Sequence, residues 1–217
     1  MNTRGVIFDL DGTIAHTLPD IAAGVNLGLH SFGLPPRPVD EVRMMVGEGL
    51  PTLCARAVAE HPEIPLPEVV QRVTNFYREH RLDQTRPFDG IPELMDELTA
   101  RHIPMAVLTN KPHEHTEPIM AALFGRWNFI AIEGYREESR RKPDPRTALE
   151  IVARMGASPG EVLMVGDSKT DVLTAVNAGM VPVGATWGYR PAEELAAAGA
   201  RHLVSRPGEI VGLLQSY

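Results

Sequence analysis

The sequence predicts an α/β fold: a doubly wound parallel sheet with a Rossmann-like core, and a bundle of helices inserted after the first strand. Three observations carry that reading. A short apolar run, Gly5-Val6-Ile7-Phe8, leads directly into Asp9-Leu10-Asp11-Gly12-Thr13, the order of a buried strand followed by a polar turn. From Leu18 to Leu82 the apolar residues have helical spacing. From Ile91 onward helical faces alternate with short apolar strands, as in a parallel sheet built with right-handed crossovers.

Within the insertion, Ile21, Val25, Leu29 and Phe32 line one helical face, and Val42, Met45 and Val46 a second. Leu50, Leu53, Cys54, Ala57 and Val58 form a third face; Val69, Val73, Phe76 and Tyr77 form a fourth. All recur at a period near 3.6 residues. Gly33-Leu34-Pro35-Pro36, Gly47-Glu48-Gly49 and His61-Pro62-Glu63-Ile64-Pro65 separate the four helices. At Arg86-Pro87-Phe88-Asp89-Gly90 the pattern changes. Ile91, Leu94, Met95 and Leu98 form a helical face, 103–108 a strand, Ile119, Met120 and Leu123 a helix, and 129–132 a strand. A helix through Ala148, Ile151, Val152 and Met155 stops at Gly156, followed by strand 162–165, helix 172–178 and strand 181–185. Pro191 and Pro207 are placed to open two closing helices. The chain thus divides into a core, residues 1–15 and 86–217, and a helical cap domain, residues 16–85, beside whatever the first strand carries.

Composition excludes several classes. A chain of 217 residues suits one core with a sizeable insertion. With 43% hydrophobic and 23% charged residues, and no run near the roughly 18 apolar residues of a membrane span, it reads as a soluble globular protein without a membrane partner. The first strand starts by Gly5, which leaves no room for a leader peptide and makes a cytoplasmic location the expectation. The single cysteine, Cys54, excludes an internal disulfide and reads as a small core residue. A net charge of -7 argues against a nucleic-acid surface, although a small anion can still be bound locally. Lys111, Lys142 and Lys169 are the only lysines.

In a doubly wound sheet, ligands bind beyond the carboxyl ends of the strands. Asp9 and Asp11, two apart on a strand, share a face, and Gly12 allows a sharp turn after them. Two such carboxylates can divide the work, one acting as nucleophile or metal ligand and the other handling a proton. The second long strand ends in Leu108-Thr109-Asn110-Lys111, where a hydroxyl and an amide can donate to a phosphoryl oxygen. Lys142 stands just before Pro143-Asp144-Pro145, where a proline-initiated helix would fix its position. In Gly166-Asp167-Ser168-Lys169-Thr170-Asp171 the acids are four apart, on one face of a first helical turn. Each piece also has a plainer reading: a solvated turn, a helix cap at Thr109-Asn110, a surface charge at Lys142, and a cap with a first-turn acid at Asp167 and Asp171. Their arrival in this order at one sheet edge favours a site.

In that order the motifs resemble the haloacid dehalogenase-like hydrolases, and within them the phosphoglycolate phosphatase group. The resemblance runs through D-x-D-G-T at Asp9 to Thr13, the helical insertion, L-T-N-K at Leu108 to Lys111, K-P-x-P at Lys142 to Pro145, G-D-S-x-x-D at Gly166 to Asp171, and Trp187-Gly188-Tyr189. One departure is visible: relatives commonly carry Asp-Ser at the cap hinge, where this chain has His16-Thr17.

The resemblance implies a Mg2+-dependent phosphatase acting on a small phosphorylated metabolite, 2-phosphoglycolate first, through an aspartyl-phosphate. It implies that Asp9 attacks phosphorus and that Asp11 protonates the leaving oxygen, then takes a proton from water. Mg2+ would be held by Asp9, Asp167 and the backbone carbonyl of Asp11, with Asp171 as a further ligand or an orienting partner. Thr109, Asn110 and Lys142 would hold the charge on the phosphoryl oxygens. The cap would choose the leaving group, with Gly47-Glu48-Gly49 as the loop facing the site and Arg43 or Arg56 as partner of a substrate carboxylate. Monomer and homodimer both fit. His113 and His115, two apart on a helix, point different ways and do not read as a metal pair.

A phosphosugar mutase of the beta-phosphoglucomutase kind shares the core and both aspartates and is the main enzymatic alternative. A non-catalytic phospho-acceptor domain also uses acids, Thr and Lys on an α/β sheet, but has no large insertion behind its first strand. A phosphonatase would need a cap lysine, and none lies between Thr13 and Lys111. A haloacid dehalogenase needs no acid at Asp11.

Overall fold

The computed structural model describes residues 3–214, so residues 1–2 and 215–217 at the ends of the expected core segments lie outside the described residues. The chain runs β1 (Gly5–Phe8), β2 (Ala15–His16), then α1 (Leu18–His30), α2 (Val39–Met45), α3 (Leu50–Ala57) and α4 (Leu66–His80). It returns through β3 (Arg86–Pro87) to α5 (Ile91–Ala100), β4 (Met105–Pro112), α6 (His113–Phe124), β5 (Phe129–Tyr135) and α7 (Arg146–Arg154). It closes with β6 (Val162–Gly166), α8 (Lys169–Ala178), β7 (Val181–Ala185), α9 (Ala192–Ala197), β8 (His202–Val204) and α10 (Glu209–Leu213).

Six strands form one parallel sheet in the order β5-β4-β1-β6-β7-β8. β1 lies between β4 and β6, where the winding reverses, so its carboxyl end opens into the crevice that such sheets use for ligands. All four β1 residues are buried, which is why the strand reads as an unbroken apolar run. Alternate side chains serve opposite faces. Val6 and Phe8 join Leu94, Met95 and Leu98 of α5 and Ile119 and Met120 of α6, whereas Ile7 joins Ala148, Ile151 and Val152 of α7 and Ala175 of α8.

Helices α1 to α4 bury a separate apolar cluster through Ile21, Val25, Leu29, Val42, Leu53, Val69 and Val73. Cys54 is fully buried in it, and that burial pushes its thiol up to about 12, so it packs as a small apolar residue. α1 and α4 approach closely at Gly28, where a Cβ would lie 2.5 Å from Val73 Cγ2.

The strands differ from the sequence pattern in three ways. β4 continues to Pro112, so Thr109, Asn110 and Lys111 are strand residues rather than the cap of α6, which starts at His113. The short β8 extends the sheet beside β7, and its three residues are too few for periodicity to show. Where the chain leaves and re-enters the core, β2 and β3 pair antiparallel, Ala15 with Pro87 and His16 with Arg86.

A buried carboxyl group fastens this crossing. Asp20 of α1, 1% exposed, accepts from Gln84 N at 3.0 Å, Thr85 N at 2.9 Å and Thr85 Oγ1 at 2.7 Å. Asp20→Ala strands these donors, and each buried donor without a partner costs about 1–3 kcal/mol. Urea denaturation is expected to show Asp20→Ala destabilised by at least about 2 kcal/mol; a change within experimental error would remove Asp20 as the fastener.

Candidate active site

The carboxyl ends of β1, β4 and β6 and the loop between β5 and α7 bring their polar residues together around Asp9. Lys142, 5% exposed on that loop, donates from Nζ to Asp9 Oδ1 at 2.7 Å and also to Asp171 Oδ1. Burial alone would lower the ammonium's pKa, but Asp171 and Asp9 override it and hold Lys142 above the ordinary lysine range. The Lys142–Pro143 bond is cis, and α7 starts at Arg146 after Pro145. The lysine is therefore set by a loop before the helix and not by the helix start itself.

Asn110 fixes that loop. Its Oδ1 accepts from Lys142 N at 2.8 Å, and its Nδ2 donates to Lys142 O at 3.0 Å and to Gly47 O at 3.1 Å. Both amide hydrogens are thus committed, to the lysine's backbone and to the loop between α2 and α3. Thr109, 3% exposed, accepts from Lys111 N at 3.2 Å and keeps its own hydroxyl hydrogen for another acceptor.

Asp167 lies on the turn ahead of α8, whose N-cap is Ser168, so the two acids do not share a helical turn as their spacing suggests. They meet because Asp171 closes a capping box, accepting at Oδ2 from Ser168 N at 3.0 Å and Ser168 Oγ at 2.6 Å. Asp167 accepts from Tyr189 N at 2.7 Å and Thr13 Oγ1 at 3.3 Å. Two glycines make room for it: a Cβ on Gly12, at φ +81°, would fall 2.2 Å from Asp167 Oδ2, and one on Gly188 would fall 2.2 Å from Asp167 Cβ.

Ligand oxygens of Asp9, Asp167 and Asp171 lie within 4.8 Å of one another, and all three residues are buried. Burial pushes Asp9 up to about 7, with Lys142 opposing and Asp171 and Asp11 adding to the rise. Burial likewise raises Asp167 well above the usual carboxylate range, helped by Asp171 and Asp9. Three carboxyl groups around one ammonium leave a deficit of positive charge, and an all-oxygen donor set with few protein ligands suits Mg2+.

Asp11 faces a second lysine. Lys111 Nζ lies 2.9 Å from Asp11 Oδ1 and 3.0 Å from Oδ2, and Thr17 Oγ1 donates to Asp11 Oδ1 at 2.7 Å. Lys111 sits 4.6 Å from the centre of the Tyr77 ring. Sequence reasoning gave Lys111 no role. The signal was nevertheless there: it lies two residues beyond Thr109, on a strand that runs on to Pro112 and brings both to the cleft.

Between the core and α1 to α4 lies a cleft of about 580 Å³. Its core side carries Asp9, Asp11, Thr109, Asn110, Lys111 and His115; the helices contribute mainly Val46, Leu50, Leu53, Val73 and Tyr77, with Gly47 and Gly49 at the loop. Glu48 turns away, pairing with Arg56 at 2.7 Å while its carbonyl accepts from Arg141 Nη1 at 2.9 Å. Arg56 also donates to Met45 O at 3.2 Å, and Arg43 faces Asp40 at 3.4 Å. Neither arginine is among the lining residues; the cation that lines the cleft is Lys111. His113 faces Glu117 at 3.1 Å and His115 packs against Tyr77, so the two histidines serve different surroundings.

The hinge residues have their own partners. His16 stacks on Phe88 at 5.2 Å, and burial, with Arg86 adding, keeps its imidazole below the ordinary histidine range. The Tyr189 hydroxyl accepts from Thr17 N and Leu18 N, both at 3.0 Å, and Trp187 Nε1 donates to Thr13 O at 2.9 Å. The Trp187-Gly188-Tyr189 stretch thus braces both the turn after Asp11 and the start of α1.

Known proteins with this arrangement are recognisable along the whole chain. A family model described as haloacid dehalogenase-like hydrolase matches residues 3–179. A phosphoglycolate phosphatase of Haemophilus influenzae is 35% identical over 199 residues, 87% of this chain and 89% of the relative. An N-acetylmuramic acid 6-phosphate phosphatase of Pseudomonas aeruginosa is 33% identical over 226 aligned residues, 99% of this chain and 96% of the relative. The solved structure of a predicted phosphoglycolate phosphatase from Haemophilus somnus superposes with a TM-score of 0.92 at 27% identity, covering 99% of each chain. Since the family match takes in β1, the helical insertion and the strand ends that meet at Asp9, the chain belongs to the haloacid dehalogenase-like hydrolases.

Proposed function

We propose that the protein is a Mg2+-dependent phosphatase hydrolysing small phosphate monoesters, 2-phosphoglycolate first among them, through an aspartyl-phosphate on Asp9. The observation that carries this reading is the placement of Asp9: its carboxyl group lines the cleft while Lys142 and the acids of the α8 turn stand beside it. The names of the relatives support the substrate class, since phosphoglycolate and N-acetylmuramic acid 6-phosphate are both carboxylated phosphate esters.

In this mechanism an Asp9 oxygen forms a bond to phosphorus as the ester oxygen leaves, and Asp11 delivers a proton to that oxygen. Water then attacks the phosphoryl group on Asp9, Asp11 takes the water's proton, and phosphate departs with the Asp9 carboxylate restored. Lys142 and the Thr109 hydroxyl face the charge that gathers on the phosphoryl oxygens. Asn110 acts by holding Lys142 in place. Asp9, Asp167 and the Asp11 backbone carbonyl would hold Mg2+, with Asp171 as a further ligand or an orienting partner, and the bound ion would supply further positive charge to the phosphoryl oxygens.

Residues 16–85 serve as the cap over a core of residues 1–15 and 86–217, and the Gly47-Glu48-Gly49 loop closes the cleft over the reacting centre. The apolar wall of Val46, Leu50, Leu53 and Val73 offers few partners to sugar hydroxyls, which weighs against a phosphosugar mutase. A cleft between the acceptor aspartate and a four-helix insertion likewise weighs against a plain phospho-acceptor domain. No helix among the described residues is long and apolar enough to cross a membrane. The proposed setting is the cytoplasm, as monomer or homodimer.

Phosphate release from 2-phosphoglycolate tests the chemistry. Asp9→Asn is expected to abolish it and chelation to suppress it, and Asp11→Asn to lower kcat by about 10²–10⁴-fold, the usual loss for a general acid. Release that persists in Asp9→Asn sinks the nucleophile; release indifferent to chelator sinks the metal. Conversion of a sugar 1-phosphate to the 6-phosphate, without free phosphate, would favour the mutase instead.

The raised acids predict a pH signature. A carboxyl whose folded-state pKa rises from 3.8 to about 7, as for Asp9, adds stability that is full below its unfolded value and is lost as pH climbs through about 7. Asp167 shifts in the same direction. Mg2+ takes ionised carboxylates and so competes with these protons. Thermal unfolding in Mg2+ and in chelator is therefore expected to differ more at pH 8 than at pH 5. This pH dependence should shrink in Asp167→Asn. A Mg2+ gain that is the same at both pH values overturns the assignment of the cluster.

A further inference from the structure

We propose that Lys111, Tyr77 and His115 form a subsite that takes a carboxylate on the leaving group of the substrate. This rests on the phosphatase reading of the same cleft and adds to it the group that recognises the substrate's second charge.

Three buried polar side chains converge on one wall of a cleft that is otherwise largely apolar on its cap side. Lys111 is 6% exposed, Tyr77 4% and His115 1%, and all three line the cleft. The Tyr77 ring stands 4.6 Å from Lys111 Nζ, and His115 meets Tyr77 edge-on at 5.3 Å between ring centres. Both ring nitrogens of His115 are buried and make no hydrogen bond within the protein, and the Tyr77 hydroxyl, paired with Lys111, keeps its own hydrogen for an acceptor. Glu114 comes no nearer to His115 Nε2 than 3.9 Å. Buried polar atoms are nearly always paired, so the two unpaired nitrogens of His115 beside a buried ammonium on one wall of the cleft indicate a polar ligand.

The donor set defines that ligand. Tyr77 contributes an O–H, since burial pushes its phenol up to about 12. His115 contributes one N–H as a neutral imidazole, because burial, with Lys111 adding, lowers it to about 4. Lys111 contributes an ammonium, buried beside the Tyr77 ring on the wall of the cleft. A cation with neighbouring O–H and N–H groups matches an acceptor-only anion with two oxygens.

Position narrows the choice further. Lys111 Nζ lies 2.9 Å from the carboxyl of Asp11, the group assigned to protonate the leaving oxygen. A substituent one carbon beyond that oxygen, as in 2-phosphoglycolate, comes within its reach, and a phosphoryl group seated at Asp9 does not compete for it. The two cap arginines are turned to Asp40 and to Glu48. Because Lys111 and His115 belong to the core and Tyr77 to α4, a carboxylate held by all three would add a further tie between the helical insertion and the core.

Steady-state kinetics on 2-phosphoglycolate and on ethyl phosphate, which has a methyl group in place of the carboxylate, read this directly. Lys111 also touches Asp11, so the informative quantity is the ratio of kcat/KM between the two esters, in which a general loss of acid catalysis cancels. The wild type is expected to favour 2-phosphoglycolate, and Lys111→Met to reduce that preference by about 10- to 100-fold, the range for a charged hydrogen bond. Tyr77→Phe keeps the ring and its packing while removing only the hydroxyl. It is expected to cut the preference several-fold, mainly through KM for 2-phosphoglycolate. Equal losses on both esters in both variants would overturn the subsite and leave the phosphatase reading standing. A wild type that releases phosphate from neither ester, nor from other small monoesters, would overturn that reading and the subsite with it.

Discussion

The arrangement around Asp9 depends on one buried ammonium. Lys142 bridges Asp9 and Asp171 at the meeting point of β1, β4 and α8, and without it three carboxyl groups would face each other in a space from which water is largely excluded. Removing one partner of a buried ion pair leaves an uncompensated charge and is far more damaging than never having had the pair. The lysine must therefore be held as firmly as the acids it serves. Asn110 does this by gripping its backbone on both sides, N–H and carbonyl. The remaining hydrogen of the same amide reaches Gly47 O in the loop between α2 and α3, so the charge centre and the closing loop share a single support.

The core holds that loop by its backbone. Gly47 O accepts from Asn110, Glu48 O from Arg141, and Met44 O and Val46 O from Arg190 at 2.7 and 2.8 Å. Carbonyl groups are present whatever the side chain, so this segment can be substituted on its cleft side without losing the closure. The constraint that remains is conformational. Gly47 and Gly49 lie at φ +117° and +87°, and a Cβ on Gly49 would fall 2.6 Å from Arg141 Nη1, which favours glycine at these turns. At the start of the helical insertion, Tyr189 satisfies the N–H groups of Thr17 and Leu18 where α1 begins, donors that a helix start leaves without an internal partner.

How far the site was legible in the sequence follows from the range of the interactions involved. The strand end at Asp9, the helical faces of the insertion and the turn at Gly166 are local patterns, and periodicity with glycine placement exposes them. Asp167 and Asp171 could be located but not arranged: their spacing suits a shared helical turn, yet Ser168 caps α8 and leaves Asp167 outside it. Arg43 and Arg56 have the right chemistry for a carboxylate but find partners in Asp40 and Glu48, close in sequence. Lys111 went unassigned because its role depends on β4 outlasting its apolar run. Tyr77 and His115 were hidden more deeply. Each sits at a helix position where an apolar side chain would satisfy the same period, and only the meeting of α4 with α6 shows that both residues line a cleft.

The two kinds of basic residue are divided between tasks that match their chemistry. Of the three lysines in the chain, two are buried at the reacting centre, while arginines hold the loop and the surface pairs. An ammonium is a compact charge whose hydrogens can be directed to separate acceptors, and Lys142 divides its hydrogens between two carboxyl groups. The guanidinium's fixed fork is better suited to two carbonyls set side by side, as Arg190 shows at Met44 and Val46. Lys111 belongs to the first group. It is a compact charge beside Asp11, under an aromatic face and on the wall of the cleft, and that placement distinguishes it from the arginines that brace the loop.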